Sequence, residues 1–95
     1  MIDLKDIQKQ IIQNRTKRNW SSATDLSKTT EGLAEELGEF TKARRHKDQA
    51  EMIDALGDLM VWCLGGMEIL GVDSEDVIEK IVKNNASRIY GDNHY

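Results

Sequence analysis

Apolar and polar residues alternate along this chain with a helical period, and they divide it into four segments. Leu4, Ile7, Ile11 and Ile12 recur at helical spacing among lysines, glutamines and acids, which predicts an amphipathic helix over residues 3–18. A polar connection from Asn19 to Asp25 follows, rich in helix-capping residues and carrying one large aromatic, Trp20. Residues 26–45 form the second predicted helix, with Leu33, Leu37 and Phe40 as its apolar stripe. After the charged connection Arg44-Arg45-His46-Lys47-Asp48, the stretch 51–71 behaves differently. Leu56, Leu59, Met60, Val61, Trp62, Cys63, Leu64 and Met67 go right around the helical wheel, the pattern of a helix buried in a bundle. Gly71 suits the end of that helix and Asp73 the cap of the next, with Glu75 and Asp76 in its first turn. Val77, Ile78, Ile81 and Val82 make the last apolar face, and Gly91 to Tyr95 reads as a frayed tail. There is no strand pattern, internal repeat or low-complexity segment. The expected fold is all-α, a single domain over residues 1–95 built as a bundle of about four helices.

The third helix carries an anomaly. Between Ala55 and Leu70 it has only two charged residues, Asp58 and Glu68. On the wheel Asp58 lies about 40° from Asp54, and Glu51 about 60° from Asp54, so the three acids project from one side. On the second helix Glu36 lies about 60° from Leu33 and about 40° from Phe40, at the edge of the apolar stripe, with Glu39 about 60° further round. Thr29, Gly32 and Ala43 surround Glu36 on the wheel and leave room around its carboxylate. Glu35 points about 100° away from Glu36. Packed antiparallel, the two helices bring Glu36, Glu39, Asp54 and Asp58 together, with Glu51 nearby. Four unpaired carboxylates repel one another, raise their pKa values and destabilise the fold, so each must be protonated, paired with a cation or bound to a metal. Hard oxygen ligands without histidine or cysteine suit Mg²⁺ or Mn²⁺. A di-iron site needs Glu-x-x-His pairs, and the two histidines, His46 and His94, are misplaced for it. Carboxylate-held magnesium accepts substrate phosphates, which suggests phosphoryl or pyrophosphoryl hydrolysis. The bland alternative is that these acids are solvated positions on amphipathic helices; it is weakest for Asp58, whose neighbours are so apolar.

Composition narrows the field. A 95-residue chain without proline, 39% apolar and 32% charged, is one small soluble domain. Such a chain buries only ~60–65% of its unfolded surface, so added stability from a bound metal or from oligomerisation is expected. The net charge of −4 argues against a general nucleic-acid binder. Cys63, the single cysteine, lies in the most apolar stretch and is expected to be buried in a reducing compartment. The N-terminus lacks a signal-peptide pattern, and residues 55–70 are too short to span a membrane, so the expected location is cytoplasmic. Arg15-Thr16-Lys17-Arg18 reads as a solvated helix end favoured by the helix dipole, with phosphate contact as the functional alternative. Trp20 either covers the edge of the core or stacks on a base.

Glu35-Glu36-Leu-Gly-Glu39 followed by Glu51-Met-Ile-Asp54-Ala-Leu-Gly-Asp58 resembles the MazG-like, all-α nucleoside triphosphate pyrophosphohydrolases, closest to short single-domain phage-type members. Their hallmark is Glu-Glu-x-x-Glu, a loop, then Glu-x-x-Asp, and the resemblance covers roughly residues 20–90. The second half fits in two ways. If Asp58 takes the final aspartate, Ala55 stands at the glutamate position and Asp54 supplies the carboxylate instead. If Glu51 and Asp54 fill the pair, Asp58 is an additional acid. The first is preferred, because Leu-Gly-Asp-Leu and the apolar run after it match the family's string. Lys83-Asn84-Asn85-Ala86-Ser87-Arg88 also looks like a Ser-Asn-Met-Ser-Lys string near the end of relatives that include phosphoribosyl-ATP pyrophosphohydrolase.

The resemblance implies hydrolysis of a nucleoside triphosphate to the monophosphate and pyrophosphate. Glu36, Glu39, Asp54 and Asp58 would hold Mg²⁺ (or Mn²⁺), and a spare carboxylate, Glu35 or Glu51, would orient the attacking water. Glu35, Glu36, Glu39 and Glu51 are thus the catalytic candidates. Trp20, Lys83, Asn85 and Arg88 are the substrate-binding candidates, and Trp62 joins Trp20 and Asn85 as a candidate for the base pocket. Relatives are dimers or tetramers, so a homodimer or homotetramer is implied, with a nucleotide as partner and neither nucleic acid nor membrane. The alternatives are a phosphoribosyl-ATP hydrolase using similar chemistry, and a non-catalytic helical interaction module.

Overall fold

A computed structural model describes residues 2–18 and 25–88. The described residues form four helices, α1 (Leu4–Lys17), α2 (Leu26–Arg45), α3 (Gln49–Leu70) and α4 (Ser74–Arg88), and no strand. Every helix starts behind an aspartate. The carboxylates of Asp3, Asp25, Asp48 and Asp73 accept from the N–H groups of Lys5, Ser27, Glu51 and Glu75 at 2.9, 2.9, 3.1 and 2.9 Å. Each such cap satisfies an orphan donor and contributes about 1 kcal/mol. Two helices end in the same double turn. Lys47 N–H donates to Arg44 and Asp48 N–H to Ala43 after α2; Gly71 N–H donates to Glu68 and Val72 N–H to Met67 after α3. Both turns need a left-handed residue. Gly71 adopts it at φ 74°, as its sequence position predicts, but Lys47 adopts it at φ 57° with a full side chain.

α2 and α3 form an antiparallel hairpin whose seam is made of small residues. Thr29 and Gly66 meet at one end of it, and Gly32 and Trp62 meet a turn further on. Thr29, Gly32 and Ala43 of α2 and Ala55, Leu64, Gly65 and Gly66 of α3 are buried. The seam therefore departs from the predicted stripe of α2. Leu33 and Phe40 are half-buried flanks, and Leu37 is 57% exposed, because the indole of Trp62 claims the small-residue line instead.

α1 runs antiparallel to α3 along its other flank, with Arg15 at Gly65 and Gln8 at Val72. Gln8, 1% exposed, is the clasp of this corner: its amide nitrogen donates to the Val72 carbonyl at 2.9 Å, and its oxygen accepts from Ser74 N–H at 2.7 Å. Lys5 and Asp73 add an ion pair at 3.1 Å. These contacts fix α4, which leaves α3 at a 110° bend and packs against α1.

The expectation that α3 is buried all round does not hold within one chain. Ile53, Leu56, Met60 and Val61 are each more than two-fifths exposed, as are Ile78, Ile81 and Val82 of α4. Cys63 is exposed too, against the expected burial, since it stands on a side of α3 left uncovered among the described residues. The radius of gyration, 15.5 Å, exceeds the roughly 12 Å of a compact chain of this length. Among the described residues no single helix is long and apolar enough to cross a membrane.

Candidate active site and metal centre

The small-residue seam brings acids together one turn beyond the Gly32–Trp62 contact. One carboxylate oxygen from each of Glu36, Glu39 and Asp58 lies within 4.8 Å of the others. Glu36 and Glu39 follow one another on α2 at i,i+3, and Asp58 faces them from α3, one turn before Trp62. Ala55, 2% exposed, lies about one turn further along α3.

Glu36 is the centre of the group. Its side chain is half-buried, and its Oε2 atom is buried without a hydrogen-bond partner. Burial, then a hydrogen bond with Glu39, then the charges of Asp58, Glu39 and Glu35 push its carboxyl up to about 7 from an ordinary 4.5. An orphaned carboxylate oxygen among other acids is a position that favours a cation strongly. The donor set is all oxygen and all anionic, which fits a hard divalent ion such as Mg²⁺ or Mn²⁺.

The remaining candidates spread outward from this group. Asp54, one turn before Asp58, is exposed and does not join the three carboxylates at that spacing. Glu35 is exposed and acts on Glu36 through its charge. Glu51 lines a neighbouring cleft of about 410 Å³ with Glu39, Lys42, His46 and Asp48, so Glu39 is common to the acid group and to that cleft. Lys83 pairs with Glu79 at 2.9 Å on α4, beside a shallow depression shared with Lys80 and Asn84. Asn85 is exposed on the same helix. Trp20 lies outside the described residues, and so does the side chain of Arg88.

Two features escaped the sequence reading. The space predicted around Glu36 at Gly32 is filled, because the indole of Trp62 packs onto the bare glycine where any Cβ would overlap its ring. Arg15 is not part of a solvated helix end. It is 7% exposed, its guanidinium 4.5 Å from the centroid of the Trp62 ring, while Lys17 and Arg18 stay exposed. A cleft of about 260 Å³ opens between Asn14, Arg15 and Arg18 of α1, Glu36 of α2, and Asp58 and Trp62 of α3. The available signal was glycine inside helices. Gly32 and Gly65 each sit where glycine costs about 1 kcal/mol relative to alanine, and each is the seat of a large side chain from another helix.

Comparison with known families gives one match. The family model described as phosphoribosyl-ATP pyrophosphohydrolase covers residues 4–85, which takes in α1, α2, α3, most of α4 and every acid of the site. No curated protein and no solved structure matches the chain significantly.

Proposed function

Because the chain belongs to the phosphoribosyl-ATP pyrophosphohydrolase family, hydrolases of phosphoric anhydride bonds within the all-α NTP pyrophosphatase superfamily, we propose that it converts a nucleoside triphosphate, ribo or deoxy, to the monophosphate and pyrophosphate with Mg²⁺. The observation that carries this reading is the meeting of Glu36, Glu39 and Asp58 around the buried, partnerless Oε2 of Glu36. These three would hold the divalent ion, with Asp54 able to reach in from the next turn, and the bound ion would neutralise phosphate charge and lower the pKa of a water. The chain's own residues supply the rest. Glu35 and Glu51, at the margins of the acid group, are the candidates to accept the proton of a water whose oxygen attacks the α-phosphorus. The bond from that phosphorus to the bridging oxygen breaks, and the pair leaves with pyrophosphate. Trp20, Trp62, Lys83, Asn85 and Arg88 remain the candidates for base and phosphate recognition.

A homodimer belongs to this proposal, with a homotetramer as the larger form. The exposed Leu56, Met60 and Val61 of α3 and Ile78, Ile81 and Val82 of α4 make apolar faces that a second copy would cover, and it would bring α4 of one chain toward the acids of another. A cytoplasmic setting suits an enzyme of nucleotide pools.

Phosphoribosyl-ATP is the second substrate reading, favoured by the family match itself. The deciding experiment incubates purified protein and Mg²⁺ with the ordinary nucleotides, dUTP and phosphoribosyl-ATP in ¹⁸O-labelled water. Label in a nucleoside monophosphate supports attack at the α-phosphorus, and label in phosphoribosyl-AMP supports the second reading. Diphosphate with labelled orthophosphate defeats both.

A further inference from the structure

The cleft beside the acid group has walls of opposite sign. α2 and α3 contribute Glu36 and Asp58 on one side; α1 contributes Asn14, Arg15 and Arg18 on the other. Arg18 and Asn14 are exposed rim residues, but Arg15 is built in. Its guanidinium lies over the Trp62 ring and against Gly65, where an added Cβ would come within 2.8 Å of one terminal nitrogen and 3.0 Å of the other. Trp62 is itself seated on Gly32. Two helical glycines and an indole thus hold one guanidinium plane beside the cleft. Burial disfavours the charged form, yet an arginine remains charged at any physiological pH. A desolvated, immobilised, permanently charged fork is the side chain suited to phosphate oxygens, which it meets through parallel N–H donors. The size of the cleft agrees: about 260 Å³ falls below the ~300–1,000 Å³ that encloses a whole small molecule, and suits a phosphate group with base and sugar outside.

We propose that Arg15 is a substrate-contacting residue, whose guanidinium, fixed between Trp62 and Gly65, donates to non-bridging oxygens of the substrate's pyrophosphate portion from the wall opposite Glu36 and Asp58. Arg18 adds a second, exposed cation at the rim. The inference rests on the pyrophosphohydrolase reading above for the identity of the site, and it assigns the phosphate subsite to α1 as well as to the α4 residues that the sequence suggested.

The test is calorimetric titration of the intact protein with pyrophosphate in Mg²⁺, for wild type, Arg15→Met and Arg15→Lys, with thermal unfolding recorded for each. Arg15→Met keeps an apolar stem over Trp62 and removes the charge. Loss of a charge-assisted pair weakens pyrophosphate binding about tenfold or more, and Arg15→Lys, charged but without the fork, falls between. In both variants the Mg²⁺-induced rise in melting temperature is retained, since the carboxylates are untouched. Binding within threefold of wild type in Arg15→Met overturns the assignment, and so does a wild type that binds no pyrophosphate. If Arg15→Met does not fold, Arg15→Lys decides on the same threefold criterion. The two readings separate cleanly. Arg15-dependent pyrophosphate binding without hydrolysis of any nucleotide defeats the enzymatic reading alone, and hydrolysis with Arg15-independent binding defeats this one alone.

Discussion

Replacing Gly32 by alanine should destabilise this protein, although the same change in an exposed helix stabilises one. The Cβ of an alanine at 32 would overlap the six-membered ring of Trp62 and stand 2.5 Å from its Cζ2. Carbon atoms need about 3.5–4.0 Å, so the indole must swing away or α2 must lift from α3 by more than 1 Å. Overpacking of that kind costs about 1–3 kcal/mol, while the gain in helix propensity returns about 1 kcal/mol. The net expectation is a loss of up to about 2 kcal/mol. Gly38 and Gly57 are the internal controls. Nothing lies within 4 Å of a Cβ at either, so Gly38→Ala and Gly57→Ala should each gain about 1 kcal/mol. Urea unfolding of the three variants measures the signs directly, as opposite shifts of the midpoint at constant slope. Because Asp58 sits one turn from Trp62, lifting α2 also spreads the acid group, and the stabilisation by Mg²⁺ should shrink in Gly32→Ala alone. A Gly32→Ala protein as stable as Gly38→Ala, with an undiminished Mg²⁺ response, would refute the close seam and the site geometry built on it.

Three further outcomes are expected. Without metal, folding raises the Glu36 pKa from 4.5 to about 7, so the folded state binds the proton more tightly and this group's contribution to stability is lost as pH rises through that interval; Asp25 and Asp73, held below their ordinary 3.8 by capping hydrogen bonds, lose theirs as pH falls below it. Metal-free stability should therefore peak roughly between pH 4 and 5 and Mg²⁺ should move the peak toward neutrality, whereas a metal-free optimum at pH 7 to 8 would contradict the crowding of acids; Glu36→Gln should flatten the neutral limb and abolish the Mg²⁺ shift. Lys47→Gly relieves a left-handed backbone in the α2–α3 turn and should add about 1 kcal/mol, read as a melting temperature higher by about 4–8 °C; an unchanged value would mean that glycine's extra freedom in the unfolded chain offsets the relief. Gln8→Leu strips the Val72 carbonyl and the Ser74 N–H of their buried partner at once and should cost about 2–3 kcal/mol, with faster hydrogen exchange confined at first to the start of α4; uniform exchange across α2 and α3 would deny that α4 is clasped through this residue.

What the sequence makes legible follows from what local physics decides. Helix existence and ends are decided by apolar period, aspartate caps and one glycine, and residues 26–45 come out with those ends because Asp25 and the turn at Lys47 bracket them. Glu36, Glu39 and Asp58 are legible as a group because an acid in an apolar helix is costly wherever the partner helix lies. Which side of α2 meets α3 is not decided locally. Leu33, Leu37 and Phe40 look like the stripe, but a glycine that admits an indole beats a leucine for the central place, and leucine is pushed to the flank. Arg15 is illegible for a similar reason. A basic helix end is normally solvated, and the conjunction of Trp62 with Gly65 on another helix draws this one inside. The exposed Cys63 and Met60 expose a different limit, since apolar residues right around a helix state that something covers it and not which chain does.

The same residues explain why the hairpin accepts poor helix formers at its centre. Gly32, Gly65 and Gly66 together forgo roughly 2–3 kcal/mol of helix propensity in a small chain whose whole stability is of the order of 5–10 kcal/mol. Alanines would recover that amount only if nothing occupied the space, and at all three positions a side chain from another helix does: Trp62, Arg15 and Thr29. Gly32 and Gly66 admit Trp62 and Thr29 across the α2–α3 seam beside the acids, and Gly65 admits Arg15 of α1. Asp58 has only one methylene with which to reach Glu36. The acids destabilise the apoprotein by repulsion, and the glycines add to that deficit. Two compensations are open to the chain: a cation among Glu36, Glu39 and Asp58, and coverage of the apolar faces of α3 and α4. On the proposed metal reading stability and function would depend on the same ion, so removing Mg²⁺ from the loaded protein should loosen the α2–α3 seam before it disturbs the Gln8 clasp at the far end of α3.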